Sequence, residues 1–341
     1  GIGTEKLSDI ATTFELKLSK YDSRLRKHSF DLELGVDHYS SASSDKIDPS
    51  TLSSPSHADT RIYPSLVWTL ENEKTGTTLG LSGSFSYEFD YKSLGLGASF
   101  SKKSTDRNRE FAAKLQAYFD TWSVIYPIEL RDPALLGGSG IQGHSPRDSY
   151  TATLSLSQVI NQSLQVLVIA EPSYQSGLLA TKYQRVFFTG GAEQTETLPD
   201  SRKKIPVGLR ANYFLGDRLI IRSFYRYYLD DWGVKAHTID LEVPFKFTAF
   251  ASISPFYRFY SQSAADYFAP YGRHYAAENY FTSDYDLSKF TSQFFGTGIR
   301  LAPPSGVLGW QKLNSLELRY GHYQRNNGLR SDEIALHLKW R

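Results

Sequence analysis

Hydrophobic and polar residues alternate along most of this chain with a period of two. Between positions 79 and 90 the odd positions carry Leu, Gly, Phe and Tyr, whereas the even positions carry Gly, Ser, Glu and Asp. The same alternation recurs at 111–120 and 237–247. Because successive side chains of a β-strand point to opposite faces, each segment predicts a strand with one apolar and one polar face.

Fifteen segments show this pattern, and we find no convincing amphipathic helix. Several segments reach about ten residues, which is the length that a tilted strand needs to cross a hydrocarbon layer. The longest apolar runs, such as 166–170, are too short for a transmembrane helix. The segments lie at 14–18, 30–38, 62–70, 79–89, 94–100, 111–119, 150–156, 164–174, 207–215, 219–227, 237–247, 251–259, 295–301, 316–320 and 334–340.

Charged residues occupy the polar face of many segments, while the apolar face is continuous. In a membrane barrel the polar face lines the lumen and the apolar face meets lipid. We therefore predict an all-β transmembrane antiparallel up-and-down β-barrel that forms one domain over residues 1–341. A soluble β-sandwich or jelly roll is the alternative, and long, evenly spaced strands with no second apolar face argue against it.

The connections between the segments are alternately long and short. Long loops are predicted at 40–59, 126–148, 175–203 and 261–287, and bacterial barrels carry long loops outside and short turns in the periplasm. Each long loop follows an even-numbered segment, so the first segment runs toward the periplasm and one further strand must precede it. Sixteen strands result if Gly1 to Asp9 contributes that strand, and fourteen result if two segments merge.

Composition and charge exclude several classes of function. Aromatic residues make up 14% of the 341 residues, as expected for girdles at both membrane interfaces, and the absence of cysteine excludes disulfides and thiolate chemistry. The net charge of +2 is spread along the chain, so we predict no nucleic-acid partner. The first residues are not a charged-then-apolar leader, so we expect a mature outer-membrane protein whose signal peptide has been removed.

Charged residues of the polar face are the candidate lumen-lining groups. Basic residues concentrate on the C-terminal segments and acidic residues on the N-terminal ones, an arrangement that would place an electric field across a water-filled pore. The alternative is that lumenal ion pairs and bulky inward side chains such as Tyr228, Phe256 and Tyr260 close a narrow barrel. The candidates are Arg210, Arg222, Arg226, Arg258, Arg300, Asp31, Glu33, Glu88, Asp90, Asp240 and Glu242.

A second group of candidates lies at the predicted extracellular rim. Asp230, Asp231 and Trp232 form a tight turn, and Asp266 and Tyr267 open the last long loop. The three aspartates could bind a ligand, a cation or a partner. The simpler interpretation is that the aspartates shape turns and that the two aromatic residues belong to the interface girdle.

Motifs of catalysis are scarce. The chain contains no GxSxG, HExxH, Walker or calcium-loop motif, and the histidines, including His144 and His274, are scattered singly as predicted surface or interface residues. We therefore predict no enzymatic activity, no catalytic residues, no metal and no cofactor.

Three stretches carry a family resemblance: PDSRKK at 199–204, YRYYLDDWGVKAHTIDLE at 225–242 and YRFYSQSAADYF at 257–268. Shorter matches lie at 37–44, 56–61, 104–111 and 147–161, and together the matches run from about residue 11 to 268. These stretches resemble a family of bacterial outer-membrane β-barrels designated domain of unknown function 3570. The resemblance implies location and architecture, and it implies no reaction.

The function that these observations favour is a porin-like channel for small solutes, with a selectivity that the lumenal charges determine. A closed barrel that anchors or joins a protein complex of the outer membrane is the alternative, and an enzyme with a rim site is a minor one. The expected partners are outer-membrane lipid, small solutes and other envelope proteins.

Overall fold

The structure is a computed structural model that describes residues 8–40, 58–131 and 141–340. Besides strands, these residues contain two single-turn 3-10 helices, at Ile128–Leu130 and Tyr285–Leu287. None of the described helices is long and apolar enough to cross a membrane. The strands are β1 Ser8–Tyr21, β2 Lys27–Ser40, β3 Ala58–Asn72, β4 Thr77–Tyr87, β5 Tyr91–Lys103, β6 Arg109–Ile125, β7 Ile141–Asn161, β8 Leu164–Ala170, β9 Ser173–Gly177, β10 Arg185–Phe187, β11 Glu193–Thr195, β12 Ser201–Leu215, β13 Leu219–Asp230, β14 Lys235–Glu242, β15 Phe245–Lys246, β16 Ala251–Gln262, β17 Phe290–Leu301, β18 Leu313–Arg325 and β19 Arg330–Trp340.

The exposure of side chains follows the alternation of the sequence, with the apolar face outward. On β2, Phe30, Leu32 and Leu34 are 44%, 47% and 42% exposed, whereas Asp31 and Glu33 between them are half-buried. Such a distribution is unfavourable in water, because it exposes the apolar side chains. A bilayer covers that face, so the pattern is that of a transmembrane β-barrel.

The strands form one antiparallel meander in which each pairs with its neighbours in sequence. β8 and β9 pair with β12 as one interrupted strand, as do β14 and β15 with β16, and the hairpin of β10 and β11 stands apart. Fifteen spanning strands remain of the nineteen assigned. Each of the fifteen predicted segments overlaps its own spanning strand, although 79–89 and 237–247 run past the strand ends at Tyr87 and Lys246. The predicted all-β antiparallel barrel is confirmed.

The first and last described strands run in the same direction, because fifteen is an odd number. All residues of β1 and β19 are exposed, and within the described residues no register pairs one with the other. Ser8 and Asp9 belong to β1, and residues 1–7 lie outside the described residues. The count of sixteen strands therefore stays a prediction, while no two of the fifteen segments merge.

The two ends of the barrel differ, and we name them by their connections. The long-loop end carries the connections 126–140, 178–200 and 263–289, and the short-turn end carries turns such as 73–76 and 216–218. The predicted loop 40–59 falls largely on 41–57, outside the described residues. The predicted loop 126–148 was too long, because β7 begins at Ile141 and pairs with β6 as far as Ile125. Polar residues on both faces of 141–148 hide the alternation there.

Buried apolar side chains concentrate at the long-loop end and not between the spanning strands. A small separate pair, Val307 and Leu313, lies at the short-turn end. Spanning strands need no apolar core, because lipid covers one face and the lumen takes the other. The buried side chains of the long-loop end include Ile125, Tyr183, Val186, Phe188, Trp232, Val234, Phe281 and Phe290.

A charge on the lipid-facing side of β12 is expected to destabilise the barrel. Leu209 lies near the middle of β12 and is 48% exposed on the apolar face. Leu209→Arg should lower the free energy of unfolding in lipid vesicles by about 2–4 kcal/mol, because lipid cannot solvate the guanidinium. Asn212→Arg, on the lumenal face of β12, is the control and should change it by less than about 1 kcal/mol. Equal losses would contradict the assignment of faces.

Candidate functional site

Two rows of lumenal residues cross the C-terminal strands. In the lower row, which is nearer the short-turn end, Arg222 on β13 pairs with Asn212 on β12 and with Glu242 on β14. The upper row, nearer the long-loop end, runs over five strands. Every member points into the lumen because the period of two is kept across the ladder. Its members in order are Arg210, Phe224, Asp240, Arg258 and Phe294.

These rows line a cavity of about 720 Å³ on the lumenal side of the sheet. Arg258 Nε lies 2.8 Å from Asp240 Oδ1, and Glu242 forms ion pairs with Arg222 at 3.5 Å and with Arg319 at 3.3 Å. Arg319 also lies over the ring of Phe256, with its guanidinium carbon 5.1 Å from the ring centroid. The carboxylates therefore orient the arginines, and aromatic faces support them.

The arginines of the cavity stay accessible to a solute. The Arg222 and Arg258 side chains are 49% and 52% exposed, whereas Asp240 and Glu242 are 29% and 24% exposed. Four arginines and three carboxylates line the cavity, together with one histidine. The wall therefore carries a surplus of accessible positive charge. The lining cations are Arg210, Arg222, Arg258 and Arg319, and the lining acids are Asp240, Glu242 and Glu333.

The remaining predicted lumen residues do not line this cavity. Arg226 lies one inward position above Phe224 on β13, and Arg300 lies on the inward face of β17 near the short-turn end. Asp31 and Glu33 lie on the inward face of β2, where Asp31 binds Lys17 at 2.9 Å. The structure thus brings together five of the eleven predicted residues: Arg210, Arg222, Arg258, Asp240 and Glu242.

Glu88 and Asp90 lie at the long-loop end of the barrel, which we call the mouth, and not on the lumen wall, because β4 ends at Tyr87. With Asp59 they place three carboxylates within 4.8 Å of one another, a spacing that could hold a metal ion. Glu88 accepts a hydrogen bond from Tyr39 Oη at 2.9 Å. Burial raises the pKa of Asp90, and the nearby charges of Glu88 and Asp59 raise it further.

At the predicted rim, Asp230 is wholly occupied by contacts within the protein. Its buried carboxylate binds the Arg202 guanidinium and accepts hydrogen bonds from Tyr228 Oη at 2.7 Å and from the backbone N–H groups of Trp232 and Val234, both at 3.0 Å. Asp230 therefore joins β12 to the turn after β13. Its oxygens are already used, so it is not free to bind a ligand.

The other rim residues also take part in packing. Trp232 is 3% exposed, donates from Nε1 to the Ser201 carbonyl at 3.0 Å and lies beneath the Arg202 guanidinium. The prediction that Trp232 belongs to the interface girdle was therefore wrong, because neighbouring residues bury its ring and keep it from lipid. Asp266 packs against Gly233, whose φ of 86° and lack of Cβ allow the approach. Tyr267 meets Trp232 edge to face.

The connections 178–200 and 263–289 pack together into a structure that we call the mouth lobe. Its apolar core is Val186, Phe188 and Phe281, and short bridges join Phe188 to His274 and Thr197 to Phe281. Arg185 binds Glu129, which joins the lobe to the connection 126–140. No strand alternation marks these residues, so the sequence predicts only loops there.

A buried polar network holds the two halves of the mouth lobe. Glu196, 2% exposed, accepts hydrogen bonds from the Thr282 hydroxyl and from the Thr181 N–H at 2.6 Å. His274, 1% exposed, donates from Nε2 to the Thr282 carbonyl at 2.9 Å, and its Nδ1 lies 2.5 Å from Glu278 Oε2. The prediction of His274 as a surface residue was wrong, because a single histidine carries no sequence signal of burial.

Burial is the main influence on the ionisation of Glu196. It raises the pKa of this carboxyl from 4.5 to about 7, although the hydrogen bonds from Thr282 and Thr181 and the charge of Lys182 act to lower it. Burial likewise raises the pKa of Asp284 in the same lobe. The mouth lobe therefore contains carboxyl groups that titrate closer to neutral pH than usual.

The fold and the lumen together define this protein as a β-barrel of the outer-membrane type with a charged interior. The chain belongs to the family described as "Protein of unknown function (DUF3570)", whose model matches residues 30–331. No curated protein matches the chain. The sequence resemblance to that family is thereby confirmed.

Solved structures show the same fold at low identity. The ferric enterobactin receptor of Pseudomonas aeruginosa is 12% identical, with a TM-score of 0.51 over 94% of this chain and 51% of the receptor. CdiB from Acinetobacter baumannii is 14% identical, with a TM-score of 0.51 over 97% of this chain and 60% of CdiB. The chain thus spans about half the length of the receptor, and the likeness concerns the fold alone.

Removing the Asp230 carboxylate is expected to loosen the mouth. Asp230→Asn leaves Arg202, whose side chain is 14% exposed, without its partner, which should cost about 3 kcal/mol of unfolding free energy. Denaturant titration in detergent measures the change. Asp231→Asn, in the same turn but exposed, is the matched control and should cost less than about 1 kcal/mol. Similar costs for both variants would contradict the role of Asp230.

The stability of the mouth lobe is expected to fall as the pH rises. Because folding raises the pKa of Glu196 from 4.5 to about 7, the folded lobe holds this proton more tightly, and the resulting stabilisation is lost between those pH values. Hydrogen exchange at Val186 and Phe281, corrected for intrinsic rates, should report this loss with a slope of at most about 1.4 kcal/mol per pH unit. Glu196→Gln should reduce this slope, whereas the exposed control Glu73→Gln should keep the wild-type slope. An unchanged slope in Glu196→Gln would refute Glu196 as the titrating group.

Proposed function

We propose that this protein resides in a bacterial outer membrane and passes small polar solutes through its lumen, with a preference for anions. The observation that carries the proposal is the lumenal cavity of about 720 Å³, in which arginines are held in place yet remain about half exposed. A group that only plugged the lumen would be packed against its neighbours. Arginines that keep free N–H groups can exchange water for a passing anion.

The ion pairs of the cavity favour the passage of an anion and not its tight binding. Asp240 and Glu242 each bind arginine, so no bare cluster of positive charge retains an anion strongly. Conduction requires sites that are favourable enough to enter and weak enough to leave. The aromatic rings of Phe224, Phe256 and Phe294 narrow the cavity without adding charge. Outer-membrane lipid surrounds the barrel, and the proposal includes no catalytic step.

A closed barrel that serves as an anchor or complex subunit is the second candidate. The mouth lobe favours it, because two long loops share a buried core at one end of the barrel. The exposed strands β1 and β19 also offer edges at which another envelope protein could pair. A closed barrel predicts no current through folded protein and stable co-purification with a partner.

Single-channel recording tests the proposed channel. The refolded protein in a planar bilayer should show stable openings, and a salt gradient should give a reversal potential of the sign for anion preference. The double variant Arg222→Glu, Arg258→Glu should reverse that sign, because four units of charge change in the cavity. The milder double variant with Gln at both positions should bring the potential toward zero.

The control is Arg24→Glu, an exposed residue in the turn between β1 and β2. It changes the charge by the same amount per site outside the cavity and should leave the sign of selectivity as in the wild type. Heat-modifiable migration on a gel confirms that each variant is folded. Silence of folded wild-type protein would reject the channel and favour the closed barrel.

A further inference from the structure

One lumenal arginine has no partner although part of it is buried. In the cavity, Arg258 binds Asp240, and Arg222 binds Glu242. The Nε atom of Arg226 on β13 is buried and has no hydrogen-bond partner, and no described residue forms an ion pair with its guanidinium. A partly buried guanidinium without an acceptor or a counter-charge is unfavourable, and the described residues supply neither to Arg226.

The positions directly opposite Arg226 carry no charged side chain. Directly opposite Arg226 lie Gly208 on β12 and Thr238 on β14, and Tyr260 on β16 follows in the same row. Tyr260 is thus two strands from Arg226, about 10 Å between backbones. The ring of Phe224 lies over Gly208, so neither neighbour brings a carboxylate to Arg226.

The cations around this row leave a surplus of positive charge at Arg226. Three cations, Arg226, Arg202 and Arg325, lie near enough to Tyr260 for their charges to favour its ionised form. Arg202 has its carboxylate in Asp230, and Arg325 has its own in Asp286 at 2.7 Å. Arg226 is the member of this trio for which the described residues provide no counter-charge.

The neighbouring hydroxyl groups do not supply an acceptor in place of a carboxylate. Tyr228 donates its hydroxyl hydrogen to Asp230 Oδ2 at 2.7 Å, and Tyr260 donates to Gln262 Oε1 at 2.6 Å. Each hydroxyl hydrogen is thus directed to another residue, and neither hydroxyl oxygen accepts from Arg226 Nε. The terminal N–H groups of the guanidinium remain as donors for a group that enters from the lumen.

We propose that Arg226 is an anion subsite in the lumen, which binds the oxyanion group of a solute, a carboxylate or a phosphate. The planar guanidinium fork matches two oxygens of such a group, which an ammonium does not. The inference rests on the proposed channel in one respect, since it names the class of solute that the lumen would select. A bound oxyanion on the terminal N–H groups of Arg226 would supply the counter-charge missing from the trio.

The subsite is tested by binding, without any measurement of current. Refolded protein in a non-ionic detergent is titrated with inorganic phosphate, and the phosphorus resonance is followed for saturable broadening by NMR; acetate added as a competitor should reverse the broadening. Arg226→Gln should weaken phosphate binding at least about tenfold, because the charge-assisted bidentate bond is lost. The phosphate affinity of Arg226→Lys should lie between those of the wild type and Arg226→Gln, because lysine keeps the charge and lacks the planar fork of two N–H donors.

The matched control is Arg300→Gln, which removes the same charge from the inward face of β17 near the short-turn end, outside the cavity. Phosphate affinity should stay within about a factor of two of the wild type, because water screens a charge at that distance. Equal loss in Arg300→Gln and Arg226→Gln would show that only overall lumenal charge attracts phosphate, and it would overturn the subsite. An Arg226→Gln variant that binds as the wild type does would overturn it as well.

The two proposals can fail separately. A conducting barrel whose phosphate affinity does not depend on Arg226 would keep the channel and reject the subsite. A barrel that binds phosphate through Arg226 and never conducts would keep the subsite and reject the channel. Heat-modifiable migration again establishes that each variant is folded before its affinity is compared.

Discussion

The constraint on which this structure depends is that lipid offers no hydrogen-bond partner to a peptide group. Each spanning strand must therefore satisfy its backbone N–H and C=O groups on its neighbours, and the antiparallel meander from β1 to β19 does so between consecutive strands. The ladder also determines which side chains meet. Every strand keeps the period of two. The side chains paired at one position of the ladder therefore all point into the lumen, and those paired at the next position all point to lipid.

The same constraint moves the compact part of the protein to one end of the barrel. Within the spanning region most apolar side chains face outward, so the apolar core of the described residues forms mainly where the chain leaves the membrane. In the mouth lobe Val186, Phe188 and Phe281 pack together, and Glu196 and His274 are buried beside them. Burying a carboxyl and an imidazole requires hydrogen-bond partners, which Thr282 provides to both through its hydroxyl and its carbonyl.

Inside the lumen, the pairing of strands decides the chemistry that the charges can perform. Asp240 and Glu242 alternate with arginines of adjacent strands, which turns a set of mobile side chains into an ordered wall. Asp230 is an acid of the same kind, yet it is enclosed and serves only to hold Arg202 and the neighbouring turn. Whether a charge binds solute or supports the fold thus depends on its depth in the barrel.

The sequence by itself determined the strands, their faces and the all-β barrel, because period-two alternation is a local property of each segment. It also placed Arg222 and Arg258 in the lumen. Only the tertiary structure decided that Glu88 and Asp90 lie at the mouth, that Trp232 and His274 are buried and that Arg226 lacks a partner. These facts depend on contacts between distant loops and on the register between strands, and neither leaves a periodic signal in the chain.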